Sequence, residues 1–260
     1  MKASYHTHTS RCHHAFGTEE EYIEKAIAEG LEILGFSDHA PMPYKNGYVS
    51  HYKMPMEEIG EYFSSLLSLR EKYKDKIDIK IGFETEYYPS LWEESLELWR
   101  PFPIDYLILG QHFVCEEIID GISHATAPSD NKDRVCSYVD SCIFAMRSGM
   151  ITYVAHPDMI NYRGDDDRFY ISEMSRLISE AAFLDIPLEY NLLGMSEGRC
   201  YPRPLFWEEV AKTGAKAVLG CDSHTPDRVA KRSEVEKAEK YLRGLGITVL
   251  DKINLIKPFG

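Results

Sequence analysis

This chain gathers imidazoles and carboxylates where short apolar runs stop. The stretch KASYHTHTSRCHHAFG, residues 2 to 17, alone holds four of the ten histidines. Side chains two apart on a strand face the same way, so His6 with His8, Glu84 with Glu86, and Asp222 with His224 are same-face pairs. Neutral imidazole nitrogen and carboxylate oxygen are the donors that suit a zinc-type or manganese-type ion. One such residue alone is more often a hydrogen-bonded structural group than a ligand. Here His6, His8, His14, His39, His112, His156 and His224 fall at or just after the ends of apolar runs in one register, and with Glu84 and Asp222 they form a candidate metal site. His13, His51 and His124 lie outside the pattern and are read as structural. His13 and His14 are adjacent, and which of the two turns inward stays open on the residues alone.

Residues so distant in sequence meet only if the chain builds parallel strands whose C-terminal ends converge. Candidate strands cover 3–8, 33–39, 79–87, 105–113, 151–158, 186–192 and 217–224, with a weaker eighth at 247–250; every one of the first seven but the sixth carries a histidine or carboxylate at its end. Helical segments separate them, near 55–74, 91–99, 133–148, 169–183, 205–213 and 226–244. The first helix follows Thr18, which with Glu21 reads as a capping box, and Pro226 sits near the start of the last. This alternation predicts an α/β barrel of seven or eight units, with its polar face at the strand C-termini.

Bulk composition narrows the partners. Hydrophobic residues make up 44% of the 260-residue chain and charged residues 27%, ordinary values for a globular protein. The net charge of −13 disfavours nucleic-acid backbones and anionic membranes, so neither is expected as a partner. No apolar run approaches the roughly 18 residues of a membrane span, the N-terminus lacks a signal-like apolar region, and the six cysteines show no paired spacing; a cytoplasmic protein with reduced thiols is the expectation.

Taken in order, HTHTSRCHHA, GFSDHAP, GFETEYY, GQHF, AHPD and GCDSH resemble the PHP (polymerase and histidinol phosphatase) metallo-phosphoesterases, in particular the histidinol-phosphatase branch. The resemblance spans nearly the whole chain. It implies one domain over residues 1–260, a distorted (β/α)7 TIM-like barrel holding two to three divalent ions, zinc, manganese or iron. Carried over by position, it puts His6, His8, Glu84 and Asp222 on one ion, Glu84, His112 and His156 on a second, and His14, His39 and His224 on a third. The family's spacing selects His14 over His13.

Two close ions bridged by one carboxylate can share a hydroxide as nucleophile, because bound water loses its proton near neutral pH under such charge. Glu84 and Asp222 bring two negative charges against about six positive charges from three divalent ions, an excess that favours a phosphate dianion. Arginine would complete the clamp with bidentate hydrogen bonds, and Arg163 and Arg199 resemble phosphate-contacting positions of the branch, with Arg203 a competitor for Arg199. Asp222 and His224 are the first candidates for handling the leaving-group proton. Glu86, Asp38 and Asp158 are expected to accept the outer N–H of imidazoles. The expected activity is hydrolysis of a small phosphomonoester, L-histidinol phosphate by resemblance, in histidine biosynthesis. The rivals are a PHP-type enzyme acting on another small phosphoester or a nucleotide phosphodiester, a dinuclear amidohydrolase-type enzyme, and a catalytically silent metal-binding protein.

Overall fold

The computed structural model describes every residue except Asn46 and Asp120. Its eight strands are all parallel and lie in one sheet in chain order: β1 (Ala3–Ser4), β2 (Ile33–His39), β3 (Asp78–Thr85), β4 (Tyr106–Leu109), β5 (Ile151–Val154), β6 (Leu188–Asn191), β7 (Ala217–Gly220) and β8 (Val249–Leu250). The two-residue β8 pairs only with the start of β7, at Ala217 and Val218. Past the far end of β7 a parallel bridge joins Ser223 to Thr7. His8 N–H donates to the Ser223 carbonyl at 3.0 Å, and the sheet is thereby closed at its upper rim between the first and seventh strands. Seven strand ends therefore surround the level where the histidines gather.

Strand parity sets what faces inward. On β4, Tyr106 and Ile108 join Tyr5, Tyr153 and Val218 in a small interior cluster, while Leu107 and Leu109 face the large core beneath the helices. Glu84 on β3 alternates with Ile81 and Phe83 of that outer core, so it points inward. Two glycines make room for carboxylates: a Cβ at Gly110 would overlap Glu84, and one at Gly220 would overlap Glu189.

The helices are α1 (Glu19–Ala28), α2 (Ile59–Tyr73), α3 (Trp92–Trp99), α4 (Lys132–Arg147), α5 (Asp167–Phe183), α6 (Leu192–Glu197), α7 (Pro204–Thr213) and α8 (Arg232–Gly244). The capping box at Thr18 and Glu21 is formed. Two expectations change. The segment 226–244 is a 3-10 turn at Pro226–Arg228 followed by a separate helix, and the end of the sixth run is taken by α6, which Asn191 caps by accepting from Gly194 N–H at 2.8 Å. Among the described residues no helix is long and apolar enough to cross a membrane.

Candidate metal centre

The strand ends deliver their imidazoles into one buried cluster. His6 and His8 follow β1, His39 closes β2 and Glu84 lies on β3, while His112, His156, Asp222 and His224 occupy the turns just beyond β4, β5 and β7. His156 and Asp222 hold left-handed backbone, φ 30° and 48°. That conformation is costly for a non-glycine residue and persists where the surroundings impose it, commonly at functional sites.

Most of the rings are pinned by their outer nitrogen. His6 Nδ1–H donates to Glu189 at 2.8 Å, His14 Nδ1–H to the Cys12 carbonyl at 2.6 Å, and His224 Nδ1–H to the Asp222 carbonyl at 3.0 Å. His8 Nδ1 faces Asp38 at 3.4 Å and His112 Nδ1 faces Glu86 at 3.4 Å. This fixes each of these imidazoles with its Nε2 lone pair directed away from the partner, the arrangement typical of metal-binding histidines.

Among the described residues those inner atoms have no hydrogen-bonding partner: His6 Nε2, His8 Nε2, His224 Nε2 and Glu84 Oε2 are buried and unsatisfied. A protein rarely leaves such groups without a ligand. Their spacing matches one. Two nitrogen or oxygen donors roughly 2.0–2.1 Å from a tetrahedral ion lie about 3.3 Å apart. His6 Nε2 is 3.4 Å from Glu84 and 3.5 Å from Asp222, while His8 Nε2 is 3.6 Å and 3.2 Å from the same two carboxylates. Glu84 also meets His156 at 2.8 Å, His39 at 2.9 Å and His112 at 3.6 Å. The rings of His14, His39 and His224 complete the cluster, with His14 centred 5.2 Å from His39 and 4.7 Å from His224. The residues fit a divalent metal centre.

Charge follows the same plan. Burial alone would neutralise Glu84 and Asp222, yet the surrounding imidazoles hold both well below the usual carboxylate range. Burial lowers His14 and His39, and His224 to about 3, so these three rings keep a free lone pair at neutral pH, whereas despite burial the facing carboxylates raise His6, His8 and His112, which must give up a proton when an ion binds. Asp222 is held as a carboxylate by His6 and His8, and the His224 Nδ1–H donates to the Asp222 carbonyl.

The cluster opens into a cavity of about 360 Å³ lined by His14, His39, His112, Asp222 and His224 on one side and by Tyr52, Phe113, Arg199 and Tyr201 among others. Arg199 donates to the Tyr201 hydroxyl at 2.9 Å and pairs with Glu197 at 2.8 Å. Arg203 is tied to Asp167 and stacks 4.0 Å over Tyr170, away from the cavity, so it does not compete with Arg199. Arg163 is not brought to the metal cluster. It is exposed in an adjoining cleft with Asn161 and Thr126, which His124 and Arg199 join to the main cavity.

Other expectations divide in the same way. Asp38 and Glu86 face the outer nitrogens of His8 and His112, as expected. Asp158 does not touch an imidazole; it accepts from the Arg203 backbone N–H, and burial pushes it up to about 7. His13 is exposed at the left-handed end of the 3-10 turn, and His51 is exposed. His124, read as structural, lines the cavity 5.5 Å from the His112 ring. The largest omission is Glu189. It is fully buried on β6, holds His6, and accepts from Asn191 Nδ2 at 2.7 Å, while Asn191 also donates to Asp222 at 3.1 Å. The signal was present in IPLEYNL, where Glu189 and Asn191 alternate with Leu188, Tyr190 and Leu192.

Comparison with known proteins gives a consistent picture. The model of the PHP domain matches residues 4–187. A protein of Deinococcus radiodurans named "Probable histidinol-phosphatase" is 28% identical over 248 residues, covering 93% of this chain and 92% of its own length. The histidinol-phosphatase of Bacillus subtilis is 28% identical over 121 residues, 44% of this chain and 45% of its own. Among solved structures, histidinol phosphate phosphatase of Lactococcus lactis subsp. lactis, complexed with zinc, L-histidinol and phosphate, superposes with a TM-score of 0.72 at 20% identity, over 97% of this chain and 98% of that one.

Proposed function

The chain belongs to the PHP-domain family, and from that membership we propose that it is a metal-dependent phosphomonoesterase whose substrate is L-histidinol phosphate. The observation that carries the reaction class is the set of buried, unpartnered Nε2 and carboxylate atoms spaced 3.2–3.6 Å apart at the floor of the cavity. The substrate rests on the histidinol-phosphatase names of relatives that align along most of the chain.

The ion-holding residues of the proposal are His6, His8, His14, His39, Glu84, His112, His156, Asp222 and His224, for two to three zinc, manganese or iron ions. Bound there, divalent ions supply positive charge to a phosphoryl group and lower the pKa of water. The chain's own residues do the rest. Glu84 reaches five imidazoles from four segments and holds them in one geometry. Asp222 and His224 act through the ions they hold. Arg199, exposed at the wall and steadied by Tyr201, presents guanidinium N–H groups to phosphoryl oxygens as charge builds on them. Tyr52 and Phe113 give the cavity wall its apolar surface, against which the leaving group can rest. Arg163, exposed in the cleft that Arg199 and His124 share with the cavity, is the second guanidinium available to the phosphoryl group.

The test is phosphate release by the metal-loaded protein from L-histidinol phosphate, p-nitrophenyl phosphate and single-stranded DNA. We expect kcat/KM for histidinol phosphate to exceed that for the generic ester by at least about 100-fold, with no nucleotide release. Equal values for the two monoesters would overturn the substrate, and release from DNA alone would overturn the reaction class.

A further inference from the structure

One buried group beside the cavity has no part in the chemistry above. Lys53, in the segment between β2 and α2, is only 5% exposed, an unusual situation for a lysine. Its ammonium lies 2.7 Å from Glu86 and 2.6 Å from Glu117, both buried, with the rings of Tyr44 and Phe113 at 5.9 and 5.6 Å. Glu86 in turn accepts from the His112 backbone N–H at 3.2 Å and faces His112 Nδ1 at 3.4 Å. His112 Nε2 then looks toward Glu84 at 3.6 Å. A continuous chain of contacts thus runs from Glu117 through Lys53, Glu86 and His112 to the carboxylate at the centre of the cluster. Its members come from three segments: Lys53 after β2, Glu86 after β3, and His112 and Glu117 after β4.

We propose that Lys53 is a positioning residue of the metal centre: it fixes Glu86 against the outer nitrogen of His112 and, through Glu117, ties the segment after β2 to the one after β4 at the cavity rim. The proposal rests on His112 being an ion ligand. A compact ammonium suits the place, because its separate N–H groups satisfy two carboxylates that arrive from different directions. Without it, Glu86 and Glu117 would be buried with no cation, a costly arrangement that Glu86 relieves by turning away from His112. His112 then loses the acceptor that sets its tautomer and ring orientation. Removing such an outer partner typically weakens metal binding about 10–100-fold. The effect falls on the ion held by His112, and sites built from His14, His39 and His224 are left as they are.

The experiment titrates the metal-free protein with cobalt(II) and follows the visible absorption bands of each bound ion, with thermal unfolding of the same metal-free samples as a check on the fold. For K53M we expect one binding step weakened about 10–100-fold with its band shifted, and the remaining steps at wild-type affinity. K53R, which keeps the charge, should recover most of the loss, and E86Q, which removes the middle link but leaves Lys53 paired with Glu117, should weaken the same step. Should K53M not fold, E86Q and K53R decide. Wild-type titration of K53M or E86Q, equal weakening of every step, or a K53R no better than K53M would each overturn the proposal. A wild-type protein that binds no cobalt would remove the reading beneath it and the proposal with it.

Discussion

At the scale of single residues, the centre depends most on Glu84, which reaches five imidazoles, and on Glu189, which holds one from outside. The two should fail differently. Glu84→Gln removes the shared carboxylate charge, and phosphate release should fall by far more than the roughly 100-fold upper end of an outer-partner change. Near-normal turnover in that variant would refute the ligand set. Glu189→Gln keeps the shape beside His6 but weakens the acceptor, so metal affinity by calorimetric titration should drop about 10–100-fold with the fold intact. The inner residues were legible because histidine and acid at strand ends are rare enough to stand out. Glu189 was missed since the sixth run ends in Leu192, and attention to strand ends hides a carboxylate three residues earlier. His124 and Lys53 belong to long connections and Tyr201 to the link between α6 and α7, where no period ties a side chain to a face.

At the scale of elements, strand parity and close approach decide where the carboxylates can stand. A Cβ at Gly110 would overlap Glu84, so Gly110→Ala should cost about 1–3 kcal/mol of stability and displace the carboxylate, with loss of metal binding as the readout. The capping box of α1 is remote from this chemistry. Thr18→Ala should lower unfolding free energy in denaturant by about 0.5–2 kcal/mol while kcat/KM holds. If that variant lost activity with little change in stability, the separation of scaffold from site would be wrong. The strand starts and helix positions followed from apolar period and capping chemistry. The strand ends did not, because the inward histidines continue the apolar run in sequence although the hydrogen-bonded ladder stops at Leu109, Val154 and Gly220. Helix α6 escaped notice because LLGMSE is short, contains a glycine and adjoins a strand.

At the scale of the whole molecule, one curled sheet gathers ligands spread from residue 6 to residue 224, so ion binding and folding are coupled. An ion that binds the native chain and not the unfolded one adds about 2.7 kcal/mol at 100 times its dissociation constant. Chelation should therefore lower the melting temperature, and re-addition of zinc or manganese should restore it. The acidic exterior, −13 overall, leaves the cavity floor as the place for a phosphate dianion once ions are bound. The most direct test takes a single metal-free sample, restores zinc or manganese in steps, and measures at each step both the ions bound per chain and the phosphate released from L-histidinol phosphate. The account predicts no turnover without metal and activity that rises with occupancy to a plateau between two and three ions per chain; turnover in the metal-free protein, or none with the centre filled, would contradict it.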